Sequence, residues 1–212
     1  MPESSPAPSP NDHCTRERFV VDRNGRLAGA RWRPSPNQNP RPVDSGVSLL
    51  VIHNISLPPE QFGAADASGQ RYIDALFLNQ LDPQAHPYFA AIATLRVSAH
   101  LCIFRDGAVT QYVPFSERAW HAGVSAWRGR EQCNDFSIGI ELEGSDHQPF
   151  TDAQYAALAV VTDALFAAYP ALNADTITGH SDIAPGRKTD PGPYFDWPRY
   201  RAALRITSEP VR

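Results

Sequence analysis

Three polar residues stand at positions where packing alone would not place them. His53 ends an otherwise apolar run, His180 follows a short strand-like run, and Asp190 lies in a loop that Pro185 and Pro191 stiffen. Two neutral imidazoles and a carboxylate suit Zn²⁺, which takes histidine nitrogen at about 2.0–2.1 Å, and three protein ligands leave a fourth position for water. An open site of this kind is typical of catalysis.

Each of these three residues also has a plainer interpretation. A histidine at a strand end is more often a hydrogen-bonded structural residue than a metal ligand. The sequence contains no HExxH or other compact zinc signature that would join the residues into one motif. The residues by themselves therefore predict a candidate metal site and no more.

A central sheet is the element that must position these residues. The run VSLLVIHN (residues 47–54) is typical of a strand buried on both faces. The run FSIGIELE (residues 136–143) alternates, which predicts that its apolar members share one face and its polar members the other. The apolar set is Phe136, Ile138, Ile140 and Leu142, and the polar set is Ser137, Gly139, Glu141 and Glu143.

Helical and hairpin patterns complete the predicted α/β fold, a mixed central β-sheet with helices on its faces. The main helix is predicted over 152–169, with Thr151 and Gln154 as a capping box. Further helices are predicted in 71–81, 86–95 and around DWPRYRAAL, a short strand in 175–179, and a loop over HSDIAPGRKTDPG. An Asp-Gly pair at 106–107 predicts a hairpin between SAHLCIF and AVTQYV.

Composition narrows the class of protein. A chain of 212 residues with 42% apolar residues is expected to form one domain. We place that domain at 28–205, after a Pro/Ser-rich, disordered extension (1–27) and before a tail (206–212). The net charge of −4 argues against a nucleic-acid partner.

The same features predict a cytoplasmic protein without membrane insertion. No apolar run is long enough to cross a bilayer, and MPESSPAPSPND lacks the basic start and apolar core of a secretory signal. Cys14, Cys102 and Cys133 cannot all pair and show no CxxC spacing, which fits a reducing compartment.

Five segments together resemble the bacterial N-acetylmuramoyl-L-alanine amidases of the AmpD type. They are VIHNISLPP, HPYFAAIATLRVSAH, RDGAVTQYVPF, RAWHAGVSAWRGREQCNDFSIGIELEG and GHSDIAPGRKTDPG, within a similarity that runs from about residue 28 to about residue 204. The family shares a fold with phage lysozyme amidases and peptidoglycan-recognition proteins. The resemblance implies hydrolysis of the lactyl-to-L-alanine amide in soluble 1,6-anhydro-muropeptides during cell-wall recycling.

The resemblance also implies roles for individual residues. It places one Zn²⁺ per chain on His53, His180 and Asp190, at one end of the sheet, and a catalytic carboxylate and cleft lysine on Glu141 and Lys188. Without the resemblance, Glu141 would be interpreted as a solvated strand residue and Lys188 as a loop cation. Glu143 shares the face of Glu141 and is a lesser candidate.

Substrate contacts are implied less directly. Asn54 and Arg96 resemble positions near the muropeptide, Arg187 could clamp a substrate carboxylate, and Trp120 and His121 are expected to line the cleft. The sequence departs from relatives at two positions. Gln132 replaces an arginine of several relatives, and Ser181 replaces a frequent cysteine, so peptide preference stays open.

Two other functions remain compatible with the sequence. Relatives in the recognition-protein branch keep the fold, lose metal ligands and only bind cell wall, so a catalytically silent binding module is one alternative. Asp190 argues against it, because it keeps the ligand count at three. An exported amidase that cuts intact wall is the other alternative.

Overall fold

A six-stranded mixed sheet forms the centre of the computed structural model, which describes residues 19–204. The strands are β1 (Val20–Val21), β2 (Leu27–Ala28), β3 (Arg31–Trp32), β4 (Gln38–Pro40), β5 (Leu49–Ile55), β6 (Leu101–Ile103), β7 (Val109–Gln111), β8 (Glu117–Ala119), β9 (Ala126–Trp127), β10 (Arg130–Glu131), β11 (Ser137–Glu143) and β12 (Ile177–Gly179). The central sheet has the order β12-β5-β11-β6-β7-β3, and three two-stranded pairs, β1-β2, β4-β8 and β9-β10, lie around it.

Helices and short 3-10 turns connect and cover these strands. They are α1 (Tyr72–Phe77), α2 (Phe89–Ile92), α3 (Asp152–Ala168), α4 (His180–Ile183) and α5 (Trp197–Ala203), with 3-10 turns at Cys133–Asp135 and Ala174–Thr176. Across residues 19–204, no helix combines the length and apolar character that crossing a bilayer requires. The predicted α/β class with a mixed sheet is confirmed.

The parallel half of the sheet consists of β12, β5, β11 and β6. Strand β5 lies between β12 and β11, and its residues 49–53 are buried, as the apolar run predicts. The hairpin predicted at 106–107 is also present, since β6 and β7 are antiparallel and Gly107 takes the left-handed conformation at φ +80°. The sheet therefore aligns the carboxyl ends of β5 and β12 at one edge.

Helix α3 covers the apolar face of β11. Thr151 accepts from the backbone N–H of Gln154 while the Gln154 side chain accepts from the N–H of Thr151, so the predicted capping box is confirmed. The shared core joins Ile138, Ile140 and Leu142 of β11 to Tyr155, Leu158, Val161 and Leu165 of α3.

Phe136 does not share that core, contrary to the alternation pattern. It precedes β11, with φ −129° and ψ 9°, and packs with Leu49, Val51 and Cys133 in a separate cluster. The strict two-residue period holds only inside an extended strand, and the 3-10 turn at Cys133–Asp135 rotates Phe136 away from Ile138.

The two helices between residues 71 and 95 are shorter than the ranges that the sequence pattern predicts. Helix α1 ends at Phe77 because Asn79 takes a left-handed conformation at φ +58° and its amide bonds to Asn37. Helix α2 buries only Phe89, so no apolar face stabilises further turns.

The described domain starts before residue 28, where the sequence pattern places its beginning. Strands β1 and β2 form a hairpin, and Phe19 and Leu27 belong to the main hydrophobic core. Burial of these apolar side chains stabilises residues 19–27, which the sequence pattern assigns to a disordered extension. Residues 1–18 and 205–212 lie outside the described residues.

Candidate metal centre

His53, His180 and Asp190 meet at the carboxyl edge of the parallel strands. The Nδ1 atoms of His53 and His180 lie 3.0 Å apart. Oδ2 of Asp190 lies 2.9 Å from the first and 3.0 Å from the second. Because these atoms form a nearly equilateral triangle, they could bind a single cation together.

The local backbone explains how this triangle is assembled. His53 belongs to β5, and His180 begins α4 directly after the neighbouring parallel strand β12. Gly179 allows the loop that carries Asp190 to fold back, because a Cβ there would lie 2.8 Å from Cδ of Pro191. The N–H of Ser181 donates to the carbonyl of Asp190 at 2.9 Å. The predicted loop therefore starts with one helical turn, α4, which fixes the direction of the His180 ring.

The donor set has the chemistry that a zinc ion requires. His53 and His180 are 1% and 3% exposed, and burial lowers the pKa of His53 to about 4, so its ring is neutral near pH 7. Burial raises the pKa of Asp190, but the adjacent His180 and His53 rings outweigh that effect and hold the pKa below its ordinary value. Two imidazole nitrogens and a carboxylate oxygen form a donor set that fits Zn²⁺.

Glu141 lies beside the triangle on the adjacent strand. It is the register partner of His53 in the parallel β5-β11 ladder, and it is 9% exposed. Its Oε2 has no hydrogen-bond partner among the described residues. Burial raises the pKa of Glu141 well above its ordinary value, Asp190 raises it further, and Lys188 lowers it. A carboxyl group in this state is suited to hold and release a proton.

A cavity of about 220 Å³ brings together most of the residues that the sequence analysis selected. Those that line it are His53, Asn54, Trp120, His121, Glu141, His180, Lys188 and Asp190. The apolar side chains of Leu76, Phe77 and Leu95 also line it. The cavity thus offers both polar groups and an apolar wall next to the triangle.

Arg96 and Arg187 are not among the residues that line this cavity. Arg96 is exposed and donates to the carbonyls of Thr94 and Leu95 at 3.1 and 3.3 Å. Arg187 donates to the carbonyls of Ala122 and Val124 at 2.7 and 2.6 Å, so its guanidinium holds a loop. Spacing could not reveal the contacts of Arg187, because they depend on how the distant segment 122–124 folds back.

Asn54 and Trp120 are held in place by polar partners at the cavity. Asn54 donates through Nδ2 to Oδ1 of Asp146 at 2.7 Å and to the carbonyl of Pro191 at 3.1 Å. The indole N–H of Trp120 donates to Oδ1 of Asn39 at 2.6 Å. Asp146 and Asn39 were absent from the predicted site, and no sequence signal distinguishes them from ordinary loop residues.

His121 lies behind His53. Its Nδ1 is 2.9 Å from Nε2 of His53, and its Nε2 is 3.1 Å from Oγ of Ser137. His180 has a comparable outer contact, since its Nε2 lies 3.1 Å from the carbonyl oxygen of Ala122. Both histidines of the triangle are therefore held from behind by the segment 121–122.

Gly139 provides the space that the His121 ring occupies. A Cβ at this position would lie 2.5 Å from Cγ and Nδ1 of His121, closer than real Cβ contacts. We expect Gly139→Ala to lower the free energy of unfolding of the metal-free protein by about 1–3 kcal/mol, the usual cost of overpacking. Urea unfolding would measure it.

Gly46→Ala is the matched control for that measurement. A Cβ at Gly46 would meet no atom within 4 Å, and Gly46 has no left-handed φ. We expect its unfolding free energy to stay within about 0.5 kcal/mol of the parent. Equal stabilities for the two alanine variants would contradict the close approach of His121 to β11.

Comparison with known proteins agrees with the class of enzyme that this sheet and site indicate. Residues 43–193 match the Amidase_2 family, described as N-acetylmuramoyl-L-alanine amidase, and the chain belongs to this family. It is 62% identical over 180 residues to the 1,6-anhydro-N-acetylmuramyl-L-alanine amidase AmpD of Escherichia coli strain K12. That alignment covers 85% of this chain and 94% of the relative.

Two solved structures support the same assignment. A crystal structure of a selenomethionine AmpD derivative superposes with a TM-score of 0.82 at 61% identity, covering 88% of this chain and 99% of that one. The amidase AmiD of E. coli, in complex with anhydro-N-acetylmuramic acid-L-Ala-D-γ-Glu-L-Lys, gives 0.54 at 30% identity over 88% of this chain and 66% of that one. The resemblance found in the sequence is confirmed.

Proposed function

We propose that this amidase uses one bound Zn²⁺ to hydrolyse the amide between the lactyl group of 1,6-anhydro-N-acetylmuramic acid and L-alanine. The observation that best supports this proposal is the triangle of His53, His180 and Asp190, with Oε2 of Glu141 unpartnered beside it among the described residues. Zinc, when bound, polarises a carbonyl oxygen and lowers the pKa of a water molecule from 15.7 toward about 7.

Glu141 is the proton carrier in this proposal. Its Oε2 has no partner among residues 19–204, so the atom is free to accept a proton from the attacking water. The same carboxyl then gives that proton to the nitrogen of L-alanine as the amide bond breaks. The raised pKa of Glu141 supports this role, because a carboxyl that retains a proton more readily can return it to a leaving amine.

Lys188 supplies positive charge near the reacting carbonyl. It lines the same cavity as Glu141, and its charge opposes the rise in the pKa of Glu141. An ammonium group at this position would stabilise the oxyanion of a tetrahedral intermediate, which is worth about 3–4 kcal/mol for comparable donors. No covalent enzyme intermediate is needed.

The muropeptide substrate is supported by the cavity and by the relatives. Asn54, Trp120 and His121 line the cavity, and the first two offer an amide and an aromatic face to a sugar or peptide. AmpD of E. coli is named for the 1,6-anhydro sugar, and the AmiD structure holds an anhydromuramyl peptide. We give Arg96 and Arg187 a lesser role in substrate binding, since their guanidinium groups donate to backbone carbonyls.

We place this activity in cytoplasmic peptidoglycan recycling. Cys102 and Cys133 are buried free thiols, a state that fits a reducing compartment. Soluble anhydro-muropeptides are the substrates that a recycling enzyme would meet there.

The deciding experiment compares peptide release from soluble anhydro-muropeptides and from intact sacculi, with and without a zinc chelator. We expect release from the soluble substrate that falls at least about a hundredfold with chelator and returns with Zn²⁺, because the metal contributes several kcal/mol to the transition state. Faster turnover of sacculi would favour an exported wall amidase. Release that is insensitive to the chelator would overturn the proposed metal mechanism.

A further inference from the structure

The hydrogen bonds that link Cys133, Ser137, His121 and His53 can run in only one donor-to-acceptor direction. Oγ of Ser137 lies 2.5 Å from the carbonyl oxygen of Cys133, and at this separation the hydroxyl must donate, because a carbonyl only accepts. The Ser137 hydroxyl has a single proton, so it presents a lone pair to Nε2 of His121 at 3.1 Å. Nε2 of His121 therefore carries the ring proton of a neutral imidazole.

The protonation of His121 in turn determines which nitrogen of His53 carries the proton. With its proton on Nε2, the neutral His121 ring has an unprotonated Nδ1. That atom lies 2.9 Å from Nε2 of His53 and accepts the proton of His53. The His53 ring is thereby left with a lone pair on Nδ1, the atom that faces His180 and Asp190.

Ala122, the residue after His121, determines the tautomer of His180 in the same way. The carbonyl oxygen of Ala122 lies 3.1 Å from Nε2 of His180, so that nitrogen must be the donor. Nδ1 of His180 is then the unprotonated atom. Arg187 donates to the same carbonyl at 2.7 Å and keeps it pointed at the ring.

Asn134 holds the segment 121–122 in place. Its Oδ1 accepts from the backbone N–H groups of His121 at 3.1 Å and Ala122 at 2.8 Å, and Asn134 is 6% exposed. A single buried amide oxygen thus fixes both the His121 side chain and the Ala122 carbonyl relative to β11.

We propose that Ser137, His121 and Ala122, held by Asn134, are positioning residues that select the ring tautomers of both histidine ligands. This inference rests on the proposed zinc centre. Each ring presents an unprotonated Nδ1, so the triangle consists of two nitrogen lone pairs and a carboxylate oxygen. The opposite tautomer of His53 would direct an N–H toward the cation. Outer-shell partners of this kind commonly change metal affinity by about 10–100-fold.

Histidine-ring ¹⁵N NMR of the zinc-loaded protein tests the polarity directly. We expect His121 to carry its proton on Nε2, with an unprotonated Nδ1, and His53 to be protonated on Nε2. A His121 ring protonated on Nδ1 would overturn the inference. This measurement needs no variant, so it decides the question even if a substitution prevents folding.

The second test is the zinc affinity of Ser137→Ala, measured by competition with a chromophoric chelator. We expect the dissociation constant for zinc to rise about tenfold, because the proton on His121 Nε2 loses its acceptor. Ser35→Ala is the matched control, since Ser35 is also buried and its hydroxyl also has two hydrogen-bond partners, the backbone carbonyl of Phe77 and the backbone N–H of Asn37. Its zinc affinity should equal that of the parent.

The outcomes separate this inference from the proposed function. A parent protein that binds no zinc would remove the proposed metal centre itself. A parent that binds zinc, with Ser137→Ala unchanged in affinity, would overturn only the role of the hydrogen-bond chain. An equal loss of affinity in Ser137→Ala and Ser35→Ala would also overturn that role, because it would show a general effect of lost buried hydroxyls.

Discussion

A His53→Ala protein should release peptide from anhydro-muropeptides at least about a thousandfold more slowly than the parent. The substitution removes one of three atoms that meet within hydrogen-bond distance of one another. Two protein ligands are too few for a catalytic zinc site, and a loss of about 4 kcal/mol of transition-state stabilisation corresponds to this factor. Initial rates at saturating substrate would measure it.

Melting temperatures separate loss of the metal from loss of the fold. A ligand that binds only the folded state stabilises it by about 2.7 kcal/mol at a hundred times its dissociation constant, so added zinc should raise the melting temperature of the parent and not that of His53→Ala. His86→Ala is the control, because His86 packs against Phe89 and is not among the residues lining the cavity. Unchanged turnover in His53→Ala would exclude the proposed mechanism.

Glu141→Gln should lower kcat by about 10²–10⁴-fold while zinc affinity stays within about threefold of the parent. Glutamine keeps the size of the side chain but cannot take and return a proton at the unpartnered oxygen. Because Glu141 contributes no atom to the triangle of candidate ligands, the metal should still bind. Single-turnover rates together with chelator competition would separate the two quantities.

Glu143→Gln provides the comparison on the same strand face. Glu143 is buried, and its carboxylate accepts from the N–H groups of Gly63 at 2.6 Å and Arg105 at 3.1 Å. Its oxygens are occupied, so the variant should lose stability and keep most of its kcat. If Glu143→Gln lost more kcat than Glu141→Gln, the proton carrier would be Glu143.

The sequence predicted those parts of the site that depend on local pattern. The apolar run before His53 predicted a buried strand, and alternation placed Glu141 on the face away from the helix-covered core, beside Gly139. The resemblance then joined His53, His180 and Asp190 into one set, and the structure brings these residues together.

Contacts between distant segments could not be predicted in this way. His121 was expected at the cleft wall, and its contact with Nε2 of His53 depends on a segment folding back over Gly139. Arg187 was expected to bind substrate, but two backbone carbonyls compete for its guanidinium. Phe136 was misplaced because a 3-10 turn interrupts the strand period. For His121 and Arg187 the deciding partners lie far away in the sequence, whereas for Phe136 the adjacent turn gave no recognisable sequence signal.

The order of synthesis gives the edge strand β12 a further role. His180 and Asp190 follow His53 by 127 and 137 positions, and β12 contributes the last strand of the central sheet. A nascent chain that ends before residue 177 holds one of the three ligands. In the proposed zinc enzyme the complete ligand set therefore exists only after β12 has docked on β5, and a bound ion would mark the chains in which that docking has occurred.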